Sequence, residues 1–258
     1  IALAMVMILA VLAGCSAPAD DAPDAAEGGA AGGEAKTTLV SAINNDPDTL
    51  NPLESTKVTE YNVWTQICEP LYRVENGETV YILADSVEIS EDGLTYTIQV
   101  KQGVTFQNGE VFDAQDVVFT LQQAVESPYV QDKVAGLTTD GIVATGDYTV
   151  ELRLEEPNAA LFATLPNIYM VPNEYYAEVG AQAFGTAPVG TGPYSFVSYT
   201  PGQEIVLKAY EGYYGEAPTI TDVTFRIISD NNTILLGLQS GEIDITELST
   251  DNYNAAKA

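Results

Sequence analysis

Between Ser16 and Lys36 there is no aromatic and no branched aliphatic side chain. A stretch built from Ala, Gly, Pro, Asp and Glu cannot bury enough apolar surface to offset the entropy of ordering it, so it reads as a flexible tether. In front of it lies Ile1 to Gly14, an apolar run with no charge. A bilayer core of roughly 30 Å needs about 20 apolar residues, so this run is too short to span it and suits the hydrophobic region of a signal peptide. Any packed domain is therefore confined to Thr37 onwards.

The apolar run ends in Leu12-Ala13-Gly14-Cys15. This resembles the lipobox of bacterial lipoproteins, which implies cleavage before Cys15 and lipid attachment to that residue. A plain secretory signal whose cleavage site happens to include a Cys is the alternative. The first residue is Ile1 and no basic segment precedes the run, so the expectation is a chain clipped at its front. The other cysteine, Cys68, lies in the run Val63-Trp64-Thr65-Gln66-Ile67-Cys68. A buried, inert thiol is expected there rather than a reactive one.

Charge narrows the function classes. Nine Lys and Arg against 37 Asp and Glu give a net charge of −28, and there is no His. The tether carries −4 of this, leaving −24 on the rest. Phosphate backbones need a basic face, so nucleic acid is excluded as a partner. Without His there is no Ser-His or Cys-His pair and no His-bearing zinc site in this chain. Adjacent acids such as Glu155-Glu156 fit a solvated face. A carboxylate-based hydrolase needs two carboxyls at a set spatial gap, and no nucleophile motif accompanies them, so the chain reads as a non-enzyme.

Periodicity gives a mixed chain. Thr38 to Ile43 predicts a strand and Thr59 to Ile67 a helix closed by Pro70. Leu94 to Val100 alternates cleanly behind the turn Glu91-Asp92-Gly93, so it pairs with Val87 to Ile89 as a hairpin. Asp113 can cap a helix from Ala114 to Glu126. Gly141 to Ala144 pairs with Tyr148 to Leu154 around Gly146-Asp147. A short helix (Ala159 to Leu165), an extended piece (Ile168 to Val171) and a helix near Asn173 to Val179 follow. After Gly190-Thr191-Gly192-Pro193 come strands Tyr194 to Thr200, Glu204 to Tyr210 and Val223 to Ile228. A helix spans Asn231 to Ser240 and stops at Gly241, and Ile243 begins a strand. The irregular alternation suits α+β or α/β.

Two blocks carry a family resemblance. One is Asp92-Gly93-Leu94-Thr95-Tyr96-Thr97-Ile98, Val100-Lys101-Gln102-Gly103-Val104-Thr105-Phe106, Asn108-Gly109-Glu110 and Phe112-Asp113-Ala114-Gln115-Asp116-Val117. The other is Pro188-Val189-Gly190-Thr191-Gly192-Pro193-Tyr194, Tyr213-Tyr214, Val223-Thr224-Phe225-Arg226 and Gly241-Glu242-Ile243-Asp244. In this order they resemble the ABC-importer solute-binding proteins of the oligopeptide, dipeptide and nickel family. Tyr214 stands where Trp is common and Gln102 where Lys is common, and neither is expected to touch the chemistry.

The resemblance implies an α/β, type II periplasmic-binding fold in which two lobes close on ligand and an extra α+β subdomain sits beside the first. Mapped here, residues 1–14 are the signal segment, 15–36 the lipidated Cys and tether, 37–75 and 165–245 lobe one, 76–164 the extra subdomain, and 246–258 the start of a crossover. Since family members are about twice this long, the expectation is a fragment lacking lobe two and unable to enclose a ligand by itself. It further implies peptide capture and delivery to membrane permease subunits by an exported monomer, lipid-anchored outside the cytoplasmic membrane or periplasmic, with no cofactor and no metal. Oligosaccharide, a nickel chelate or peptide sensing are alternatives within the fold.

Site residues expected from lobe one are few. Glu60, Tyr61 and Asn62 follow the loop where the family's helix faces the cleft. Glu60 either pairs a ligand cation or is a solvated carboxylate favoured by a helix start. Trp64 either stacks on ligand or belongs to the core. Gly190, Thr191 and Gly192 either set a loop near the cleft or form a turn leading into a strand. Asn167 and Tyr194 complete the set, beside Cys15 for lipid.

Overall fold

The computed structural model describes residues 36–247 and residue 253. The apolar run 1–14, Cys15 and the tether up to residue 35 lie outside the described residues.

In chain order the elements are β1 (Thr38–Ile43), α1 (Val58–Trp64), β2 (Tyr72–Glu75), β3 (Glu78–Tyr81), β4 (Ala84–Ile89), β5 (Thr95–Val100), α2 (Ala114–Glu126), β6 (Ile142–Gly146), β7 (Thr149–Arg153), α3 (Leu161–Thr164), α4 (Asn173–Phe184), β8 (Tyr194–Thr200), β9 (Glu204–Ala209), β10 (Asp222–Ile227), α5 (Asn231–Ser240) and β11 (Ile245–Thr246). One sheet runs β11-β1-β10-β9-β8 and another β4-β5-β7-β6, with β2 and β3 paired as a hairpin. In the five-stranded sheet β1 is parallel to both β10 and β11, while β10, β9 and β8 are antiparallel.

Register decides which side chains are buried. Leu39 pairs with Val223 and Ile43 with Ile227, and Val223 and Phe225 face Leu207 and Ile205. This apolar face packs with Val63 and Trp64 of α1 and with Ile67. On the opposite side Ala42 packs with Ile234 of α5 and with Ile243. The four-stranded sheet buries Tyr96 and Ile98 of β5 and Val150 and Leu152 of β7 against Val117 and Leu121 of α2. The strict alternation of β5 is what places Tyr96, Ile98 and Val100 together inside.

The start of α2 and the start of α4 depend on one buried acid. Asp113 accepts from Gln115 N (2.7 Å), and its own N–H donates to Asp116 Oδ2 (2.9 Å), a reciprocal cap. Asp116 Oδ1 accepts from Asn173 N (2.9 Å), the first residue of α4. One carboxyl thus meets the N-termini of two helices. Burial pushes Asp116 up to about 7, against the pull of the N–H groups of Asn173 and Asp113.

Gln107 joins the remaining pieces. Its Nε2 lies 3.2 Å from Ile67 O, 3.0 Å from Gly192 O and 2.8 Å from Tyr194 O. Its Oε1 accepts from Gly190 N (3.1 Å), and its backbone N–H donates to Gly190 O (2.9 Å). The approach is close enough that a Cβ on Gly190 would sit 2.1 Å from Ile67 O, so only glycine fits there.

Several elements differ from the sequence expectation. The helix expected over Thr59 to Ile67 ends at Trp64, where Gln66 N bonds back to Val63 O and the turn tightens. The helix expected over Ala159 to Leu165 shrinks to α3, because Leu165, Pro166 and Asn167 form a tighter turn of their own. The helix expected to end near Val179 continues to Phe184 through a break at Gly180, whose φ is 79°. The β2–β3 hairpin was not expected at all. It turns at Asn76 (φ 54°) and Gly77 (φ 85°).

Replacing Gln107 by Ala is expected to destabilise the fold by at least about 2 kcal/mol in urea unfolding, because it strands several backbone groups. Gln107→Glu should be no better, since it removes the amide donor; a loss under about 0.5 kcal/mol for both would contradict this role. For Asp116 the folded pKa lies above the unfolded one, so its stability contribution is complete below about pH 4 and is lost as pH rises through 7. The stability difference between the natural protein and Asp116→Asn should therefore shrink by roughly 3–4 kcal/mol between pH 4 and 8 for a shift of this size. A difference that stays constant over that range would show that the carboxyl does not titrate there.

Candidate functional site

Helix α1 separates the expected site residues because its faces point in different directions. Glu60, Val63 and Trp64 turn inward and are buried. Tyr61 and Asn62 turn outward towards different concavities.

Tyr61, Trp64 and Asn167 come together. They line a cavity of about 520 Å³ with Ser55 and Thr56 before α1 and with Tyr129 and Lys133 after α2. Trp64 is only 3% exposed and belongs to the apolar core, but it also contributes to this wall. Its ring meets Tyr169 edge-on at 4.6 Å and Tyr61 at 5.0 Å between centroids, the geometry aromatic quadrupoles favour. Trp64 Nε1 is buried and has no hydrogen-bond partner.

Asn62 and Tyr194 meet elsewhere. They line a cavity of about 400 Å³ against Leu39 and Phe225 of the five-stranded sheet. Asn62 also borders a smaller concavity with Asn44, Thr59 and Thr246.

Glu60 lines none of these cavities. It is 1% exposed, so it is not a solvated carboxylate at the helix start. Its Oε1 accepts from Asp48 N (3.0 Å) and lies 3.9 Å from Lys57 Nζ, while Oε2 has no partner.

Gly190, Thr191 and Gly192 lead into β8 and are buried. Gly192 N donates to Ile67 O (2.8 Å), and Thr191 Oγ1 donates to Glu69 Oε2 (3.0 Å). Glu69 also accepts from Tyr213 OH at Oε1 (2.9 Å) and from Tyr214 OH at Oε2 (3.0 Å). Burial pushes its carboxyl above the ordinary range, and the hydroxyls of Tyr213, Tyr214 and Thr191 pull the other way. Tyr214, expected to be peripheral, is thus a partner of this acid. Cys68 beside it is fully buried, and burial pushes its thiol up, as an inert residue requires.

Sequence reading passed over Thr56, Tyr129, Lys133, Gln107 and Glu69. Tyr129 stands in a loop without periodicity, where an exposed aromatic beside Pro128 is the only signal. Gln107 and Glu69 act through contacts far along the chain, which local pattern does not show. The Asn76-Gly77 pair was a readable turn signal.

The cavity beside α1 can hold an organic ligand by aromatic contact and by amide and hydroxyl hydrogen bonds. Among the described residues no three His, Cys, Asp or Glu side chains converge to hold a metal. Among them too, no helix is long and apolar enough to cross a membrane.

Comparison with known proteins gives the same picture. The family profile "Bacterial extracellular solute-binding proteins, family 5 Middle" matches residues 78–258. The oligopeptide-binding protein AppA of Bacillus subtilis is 26% identical over 267 residues, covering 99% of this chain and 49% of that protein. The glutathione-binding protein GsiB of Pectobacterium atrosepticum is 31% identical over 209 residues, covering 79% of this chain and 40% of GsiB. The chain spans about half the length, or less, of these curated relatives. The structure of Bacillus subtilis AppA in complex with a nonapeptide superposes with a TM-score of 0.77 at 26% identity, over 85% of this chain and 45% of AppA. The substrate-binding protein CtaP of Listeria monocytogenes gives 0.76 at 29% identity, over 86% of this chain and 46% of CtaP. The fold is that of a type II periplasmic binding protein, and the chain belongs to the bacterial extracellular solute-binding proteins of family 5.

Proposed function

We propose that this chain carries one ligand-facing wall of an extracytoplasmic receptor that captures peptides and delivers them to the permease of an ABC importer. The observation that carries this reading is the cavity of about 520 Å³ beside α1, set in a fold shared with a nonapeptide-bound relative. Tyr61, Trp64 and Tyr129 offer apolar faces, and Gln131 and Asn167 offer amides at its edge. A peptide presents matching chemistry, alternating amides with side chains of mixed character. Closure of a second lobe over this wall, as in hinge-bending receptors, completes the enclosure.

In this reading Cys15 carries the lipid, and residues 16–36 let a monomeric receptor reach the permease from the outer face of the membrane. The acidic surface keeps the module soluble and favours cationic over anionic ligands in the approach.

Calorimetric titration of the complete natural protein, freed of its lipid anchor, decides between the ligand classes. Peptides of graded length are expected to give saturable heat, and cello-oligosaccharides and nickel chelates none. Heat with sugar or metal chelate and none with any peptide would replace the peptide reading.

A further inference from the structure

Several polar groups around the cavity beside α1 are already engaged within the chain. Lys133 Nζ lies 2.7 Å from Asp132 Oδ2, so its charge is matched within the wall. Asn167 Nδ2 donates to Thr164 O (2.9 Å), Tyr61 OH lies 3.3 Å from Tyr169 OH, and Ser55 Oγ accepts from Lys57 N (3.1 Å). The wall also leaves aromatic surface open. Tyr129 is 54% exposed and Tyr61 45%. Val58, three residues before Tyr61 on the same helix, is 57% exposed. A single exposed apolar side chain needs no explanation, but two tyrosines converging with Trp64 on one cavity form an aromatic patch within a mixed wall. Trp64 adds a buried indole N–H without an acceptor.

We propose that this cavity is a side-chain pocket of the receptor and that it selects an aromatic residue of the bound peptide. The proposal rests on the peptide reading above and adds to it the class of residue recognised. An aromatic guest can meet Tyr61, Trp64 and Tyr129 edge to face, and it gains from leaving water. A Glu side chain would give up its hydration without meeting an unmatched cation, because Lys133 is paired. A Lys side chain is the serious rival, since a cation can also sit over a tyrosine ring in an acidic protein.

The test is calorimetry on the complete natural protein with an alanine pentapeptide in which a single Phe, Lys or Glu is scanned through each position. At one position Phe is expected to bind about tenfold tighter than Ala, while Lys and Glu bind no tighter than Ala. Tyr129 is exposed in a loop, so Tyr129→Ala leaves the core intact and should shrink that preference to about twofold or less. Tyr129→Phe should keep it. Peptide binding without a Phe preference, a Lys preference at that position, or a Phe preference that survives Tyr129→Ala would overturn the pocket while leaving the peptide reading in place. No heat with any member of the series would overturn both.

Discussion

One carboxamide, that of Gln107, holds three distant stretches of this chain together. It lies between the segment following α1, the turn into β8 and the loop that precedes α2, and it bonds to backbone groups of the first two. Backbone groups brought this close must be paired, because an orphaned buried amide or carbonyl is expensive. The glycines at 190 and 192 follow from the same constraint. A Cβ at either would lie under 3 Å from the carbonyls of Gln66 or Ile67. Glu69 adds a second tie, drawing hydroxyls from Thr191, Tyr213 and Tyr214 onto one buried carboxyl.

These ties fix the end of α1, and α1 is where the candidate site is built. The helix has only the seven residues Val58–Trp64 and no side-chain cap at its start. A helix this short has little stability of its own and takes its position from packing. Val63 and Trp64 provide that packing by entering the core of the five-stranded sheet. The same anchoring turns Tyr61 outward beside the loop of Tyr129 and Lys133. Core and cavity therefore share Trp64, which serves the core with most of its ring and the cavity wall with the rest.

How much of this was legible in the sequence depended on how local the cause was. The limits of α2 could be read because Asp113 caps it and Val117 and Leu121 give it a helical stripe. The end of α5 followed from Gly241, which adopts the left-handed conformation that stops it. The end of α4 was missed because Gly180 interrupts the pattern while packing carries the chain on to Phe184. Of the candidate site residues, Tyr61, Trp64 and Asn167 share one cavity, and Asn62 and Tyr194 share another. Glu60 is expected from its chemistry and Thr191 from its loop, and in the fold both are buried, with Glu60 accepting from Asp48 N and Thr191 donating to Glu69. Such contacts join residues as far apart as Glu69 and Thr191, and no periodicity records them.

In the proposed receptor, peptide lies against the wall formed by the loop before α1, α1 itself and the loop after α2. Photo-crosslinking tests it most directly. A bound peptide carrying a benzophenone side chain would be irradiated on the complete natural protein, with and without excess unlabelled peptide, and its adducts mapped by mass spectrometry. Competable adducts within residues 52–64 or 128–133 are the expected result. Competable adducts confined to other parts of this chain, such as α5 or the four-stranded sheet, would contradict it.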